Sequence, residues 1–331
     1  MQSGNHSYNI MKQTIRSYAK AAIYPFFRIY FAIRAWWPVW FFVLNRDARA
    51  RFAKHRRTLN AVQKRIADDL GRDGVAVTHI DELFPGKNLL PHLQGYVRSM
   101  REAPEVRAKK AFLIQLWDTV PLVDLANPFL EFVLAPRMLD IVNTYMQMQS
   151  VFYYLTLNVT TPVPSDSPAV SSQRWHRDPE DKKMCKVFLY VNDVDEGAGP
   201  FTYILGSQHG GRYGGLFPQR PPKGVYPAED MVASAIPASA IRRHMGKAGT
   251  VVFADTAGLH RGGYATKAER IMFTAGFSSP HSVWPIRFHY APSFDVEYAN
   301  ITDPGVRFAL APRRDSFSTW LFERLGKVYK F

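Results

Sequence analysis

Residues 188–210 read FLYVNDVDEGAGPFTYILGSQHG. Two apolar, β-branched and aromatic runs flank an acidic turn that ends in Gly199-Pro200, and the second run stops at Gly206-Ser207. The runs are too short for ordinary helices, and Asn, Asp, Gly and Pro are the residues that turns demand, so the segment reads as strand, turn, strand. The texture recurs on both sides. VFYYLTLNV (151–159), KVFLYVNDV (186–194), TVVFADT (250–256) and RIMFTAGFSS (270–279) are strands of the same kind. Short strands in a row with little helix between them predict a sandwich or barrel and argue against a parallel α/β sheet.

The N-terminal side is more helical. A basic helix is expected over about 47–70, then the turn Gly71–Gly74 and a strand over Val75–Thr78. A further helix is expected over 98–117, and a helix or helix pair over 128–146 divided at Pro136. The Pro- and Ser-rich stretch Thr161–Ser172 reads as a loop over a site. At 331 residues and 47% apolar, the chain can bury a full core. The one cysteine, Cys185, excludes an internal disulfide; at the entry to an apolar strand it suits a small core residue better than a reactive thiol.

Chemistry concentrates in two places. Trp175-His176-Arg177-Asp178 is followed by Gly258-Leu259-His260-Arg261-Gly262-Gly263. Two imidazoles and one carboxylate on one side of a metal hold Fe(II) and leave the opposite side open. His176 and Asp178, two apart on a strand, point the same way. Taken singly each has an ordinary reading: a satisfied strand histidine, and an aspartate capping the turn before Pro179. Arg270 opens the strand ten residues after His260, where its planar fork suits a carboxylate. His209 reads as structural, Asp193 and Asp195 as turn residues, and Arg174, Arg177 and Arg261 as contacts for an anionic substrate or as solvated side chains.

WHRD at 175–178, the 188–210 segment and GTVVFADTAGLHRGG at 249–263 with Arg270 together resemble the phytanoyl-CoA dioxygenase family of iron and 2-oxoglutarate oxygenases. The likeness extends more loosely over 66–280. It implies a mainly β, α+β chain with flanking helices around a double-stranded β-helix, or jelly roll. It implies that His176, Asp178 and His260 hold Fe(II) and that Arg270 binds the distal carboxylate of 2-oxoglutarate, with Asn158 or Thr156 assisting from an earlier strand and ascorbate as an accessory reductant. Met272 stands where the family sometimes carries a hydroxyl. Halogenating relatives lack the carboxylate ligand, so Asp178 argues against halogenation.

The charge is uneven. Residues 1–65 carry 13 Lys or Arg and one acid, Asp47, whereas the remainder is nearly balanced. Within this arm, AAIYPFFRIYFAIRAWWPVWFFVL (21–44) is the most apolar stretch, interrupted by Pro25 and Pro38 and holding Arg28 and Arg34. Lys12, Arg16, Lys20 and Arg28 form a basic stripe with Tyr24 in its gap; Tyr30, Trp36, Trp37 and Trp40 favour a headgroup region. Three readings stand: a helix lying on an anionic membrane through residues 11–57, a spanning helix, or a helix covering a flank of the domain. No zinc-finger, homeodomain or RNA motif accompanies the basic cluster, which ranks nucleic acid low.

These readings divide the chain into an arm (1–65), a jelly-roll dioxygenase domain (66–285) and a C-terminal extension (286–331). They predict a cytoplasmic enzyme, peripheral on the inner face of a membrane, that hydroxylates a small or lipid-linked substrate. The alternatives are a non-catalytic jelly-roll module with a vestigial metal site and a metal-dependent hydrolase. On this division, removing residues 1–60 leaves a soluble, active body.

Overall fold

The computed structural model describes residues 25, 26, 28–102, 107–110, 112–219, 224–311 and 319–321. Its strands are β1 (Val75–His79), β2 (Arg107–Lys110), β3 (Leu113–Gln115), β4 (Leu122–Val123), β5 (Val151–Thr160), β6 (Cys185–Tyr190), β7 (Phe201–Ile204), β8 (Ile241–His244), β9 (Thr250–Ala254), β10 (His260–Arg261), β11 (Arg270–Ser278) and β12 (His289–Tyr290). Seven of them form one antiparallel sheet in the order β1-β9-β6-β11-β5-β3-β2, and β10-β7-β8 form a smaller antiparallel one. The pair β12-β4 is parallel. With the helices between and around them, the chain is α+β.

Alternation sorts the central strands into two faces. Leu157 and Val159 of β5, Val187 and Leu189 of β6, Val251 and Phe253 of β9, and Ile271 and Phe273 of β11 share one core with Ile66 and Leu70 of helix Ala61–Asp73, Phe129 of helix Pro128–Val133 and Ile141 of helix Pro136–Met146. The alternate residues look the other way. Val75, Phe188, Val252 and Ala254 pack on Phe201 and Tyr203 of the small sheet. Helices, large sheet and small sheet are therefore successive layers, and side chains between the two sheets lie in an inner layer.

The strands at 75–79, 151–160, 250–254 and 270–278 lie where the sequence places them, as do the helix pair meeting at Pro136 and the loop after Thr160. Two expectations fail. The basic helix over 47–70 is two helices, Arg46–His55 and Ala61–Asp73, because Asn60 starts a new one: its side chain accepts from Gln63 N while Gln63 Oε1 accepts from Asn60 N. The helix over 98–117 is instead helix Leu89–Glu102 followed by β2 and β3. Pro104 lies two residues past the last helical residue, and β3 finds a partner in β5 at Leu113↔Thr160.

The arm is bound to the body. Trp40, Phe41 and Ala48 belong to the main core, and Phe31 packs with Val283 and Trp284. Removing residues 1–60 would take Trp40, Phe41 and Ala48 out of that core, and the boundary at 65 falls inside helix Ala61–Asp73. Among the described residues no helix is long and apolar enough to cross a membrane. Lys12, Arg16, Lys20 and Tyr24 lie outside the described residues.

Candidate metal centre

His176 and His260 are brought together by backbone pairing. Each donates its N–H to the other's carbonyl at 3.0 Å, as an isolated antiparallel bridge at the rim of the small sheet. Asp178 N donates to Thr256 O at 2.8 Å, which holds the WHRD segment along the loop leading to His260. The three side chains converge: one ligand atom from each of His176, Asp178 and His260 lies within 4.8 Å of the others. His176 Nε2 is 3.7 Å from Asp178 Oδ1, and His260 Nε2 is 3.5 Å from Asp178 Oδ2.

Each imidazole is oriented by a carbonyl two residues back. His176 Nδ1 meets Arg174 O at 2.8 Å and His260 Nδ1 meets Gly258 O at 3.0 Å. A carbonyl only accepts, so Nδ1 carries the proton and Nε2 presents its lone pair to the common point. Burial depresses the His176 imidazole and takes His260 down to about 3. Burial alone would raise the Asp178 carboxyl, but Lys186, His260 and His176 together hold it well below the usual carboxylate range. Two neutral imidazoles and one carboxylate are the protonation states that a divalent metal requires.

Lys186 is a neighbour of the candidate site that the sequence reading missed. It is buried, with Nζ 2.6 Å from Asp178 Oδ2 and 3.7 Å from Glu180 Oε1, and over the Tyr154 ring at 5.3 Å. The available signal was its place two before Phe188 in β6, a charge on the alternation that faces the inner layer. Tyr226 was also missed: it stacks on His176 at 5.5 Å, and Arg174 lies over its ring at 5.8 Å from the centre.

Arg270, Met272 and Thr274 alternate along β11 and share the inner-facing parity of Phe188, with Thr160, Asn158 and Thr156 opposite them on β5. Arg270 is buried; it donates to Gly199 O and, at 3.3 Å, to Thr160 Oγ1. Asn158 donates to Thr156 Oγ1 at 3.1 Å. The hydroxyl in contact with Arg270 is thus that of Thr160, and Asn158 and Thr156 bond to each other one and two rungs along. Arg270 Nε and Asn158 Oδ1 are buried and meet no hydrogen-bond partner.

Other readings resolve. Arg177 is not solvated: it is buried and donates to Ser207 O and Ala257 O, each at 2.6 Å, and to Leu216 O at 2.8 Å. Arg261 pairs with Glu229 and lies over Trp175. His209 stacks on Trp37 at 4.5 Å, Asp193 pairs with Lys247, and Asp195 caps a turn through Ala198 N. Cys185 is buried in the main core.

No family model matches the chain, and no curated protein matches it. Solved structures do. The epimerase SnoN, in complex with Fe3+, alpha ketoglutarate and nogalamycin RO, is 14% identical, with 68% of this chain and 86% of that one covered, at a TM-score of 0.51. EctD from S. alaskensis, with 2-oxoglutarate and 5-hydroxyectoine, is 16% identical over 77% of this chain and 89% of that one, at a TM-score of 0.47. The chain shares the fold of the first.

Proposed function

We propose that this chain is an Fe(II)- and 2-oxoglutarate-dependent dioxygenase that hydroxylates a small or lipid-linked molecule. The core is read as a double-stranded β-helix and the chain as kin to the phytanoyl-CoA dioxygenases. The observation that carries the proposal is the convergence of His176, Asp178 and His260, with both Nδ1 atoms already bonded and both Nε2 atoms free to ligate. The site fits the group it would hold: the donor set is two imidazoles and a carboxylate, and Arg270 Nε and Asn158 Oδ1 are buried donor and acceptor with capacity to spare.

His176, Asp178 and His260 would hold the iron, and Arg270 would hold the distal carboxylate of 2-oxoglutarate. The bound pair supplies the oxidising power that lets dioxygen functionalise a C–H bond. The chain's own part is placement and shelter. Arg270 offers a planar fork to a carboxylate, Thr160 and Gly199 O fix that fork, and Phe188 and Phe201 in the inner layer exclude water. Lys186 keeps the Asp178 carboxylate ionised and oriented through a hydrogen bond at 2.6 Å.

The test is succinate release from 2-oxoglutarate by the full chain with Fe(II), ascorbate and a lipid extract, together with a search for products heavier by one oxygen atom. Release that needs iron and dioxygen, and falls to background in Asp178→Ala, is expected. Arg270→Ala should raise the KM for 2-oxoglutarate about thirtyfold or more, the effect of truncating one partner of a buried charge pair. Turnover that survives without dioxygen, or that ignores Arg270→Ala, would point to hydrolysis instead.

A further inference from the structure

The helix that enters the fold has two unlike faces. Residues 28–35 are helical. One face meets the body: Phe31 is 2% exposed against Val283 and Trp284, and Arg34 Nη2 donates to His281 O at 2.8 Å. The other face is bare and apolar. Phe26 is 73% exposed, Ile29 57%, Ile33 53% and Trp36 62%. The three- and four-residue spacing of Phe26, Ile29 and Ile33 puts them in one helical stripe turned away from Phe31, and the exposed Trp36 stands in the bend that ends the helix. Leaving four large apolar side chains in water, along a helix whose opposite side is packed, calls for an occupant.

We propose that this stripe docks on an anionic phospholipid bilayer, as a blade lying in the headgroup region. Charge selects the occupant. Residues 1–65 carry 13 Lys or Arg against one acid; Arg46, Arg57, Lys64 and Arg65 pair with carboxylates, whereas Arg51 and Lys54 of helix Arg46–His55 are exposed. A second copy meeting this one through the stripe would bring two such clusters together, whereas an anionic leaflet attracts them. Trp36 beside the stripe favours the interface, and among the described residues no helix is long and apolar enough to cross. Of the two arginines in the apolar stretch, Arg34 is turned to the body, where it donates to His281 O.

The blade is fixed to the catalytic body and does not swing on a linker. Trp40 Nε1 donates to Asp181 Oδ1 at 2.6 Å, both buried, three residues after Asp178. Docking would therefore set how the ligand-bearing loop faces the leaflet. The inference does not rest on the iron reading, and its test uses neither iron nor 2-oxoglutarate.

The experiment is vesicle flotation of the full chain with phosphatidylcholine alone and with added phosphatidylserine. The native chain should bind the serine-containing vesicles, and Ile29→Glu/Ile33→Glu/Trp36→Glu should bind them about a hundredfold more weakly with unchanged melting temperature. Charge reversal at Arg51 and Lys54 should weaken binding and leave folding intact. Absence of binding by the native chain, equal binding to phosphatidylcholine alone, or a triple variant that binds like the native chain would each overturn the proposal. So would sedimentation showing a native dimer that the triple variant splits.

Discussion

Asp181 is an acid held where an acid is least at ease. Its carboxylate accepts from Trp40 Nε1, Lys182 N and Ser279 N, yet burial takes its pKa up to about 6. The folded state keeps a proton that the unfolded chain gives up near pH 4, so unfolding releases it and rising pH favours unfolding. The contribution falls as pH climbs from about 4 to about 6 and stays low above that, by on the order of 2–3 kcal/mol. Asp181→Asn carries no such proton. Denaturant melts at pH 4.5 and pH 7 should therefore show the variant gaining on the native chain by roughly that amount at the higher pH; a difference that is the same at both would mean Asp181 does not titrate in this window. At this scale the iron candidates and Arg270 were legible because His-x-Asp, Gly-Leu-His and a strand-opening Arg keep their chemistry wherever the chain goes. Lys186 and Asp181 were not. Their roles come from what a strand face or a loop buries them against, and neither the face nor the loop's partner is written locally.

Among elements, legibility followed locality. β5, β9 and β11 have their alternation within a few residues, and the structure keeps it. The segment 98–117 fails because its second half becomes strand only through pairing across to β5, a partner more than forty residues on. The GLHRGG run shows the same contrast at closer range. The reason for Gly263 is tertiary: a Cβ there would run into the backbone of Gly199 and Pro200, where the loop after β10 crosses the turn before β7. Gly263→Ala must push those two backbones apart. The expected cost is about 1–3 kcal/mol, with weaker Mn(II) binding, since His260 lies three residues upstream. Gly71→Ala is the control: it sits in helix Ala61–Asp73 with nothing within 4 Å of an added Cβ, and should be neutral or gain up to about 1 kcal/mol. Equal melting temperatures for the two variants would remove the case for a forced approach at Gly263.

For the molecule as a whole, the decisive question is whether the basic arm is an appendage or part of the body. Charge counting separates it, because residues 1–65 differ so sharply in sign from the rest. Packing joins it. Trp40 is 3% exposed, Phe41 lies in the main core with Arg49 over its ring at 4.0 Å, and Gln149 N donates to Ala48 O at 3.1 Å. Charge reports what faces solvent, whereas the pattern of an interface helix reports both sides, and both sides here are apolar, so no sequence pattern could assign them. The energetic weight is large. Truncating a buried Phe or Trp costs about 3–5 kcal/mol each, and losing Trp40 and Phe41 together approaches the 5–15 kcal/mol that holds a whole domain folded. A chain beginning at residue 61 should thus be recovered aggregated or with a melting transition lowered beyond measurement, while the full chain bearing glutamates at 29, 33 and 36 should melt like the native one. If the shortened chain instead melts normally and turns over 2-oxoglutarate, the arm is an appendage after all, and the Trp40–Asp181 bond plays no part in holding the ligand-bearing loop.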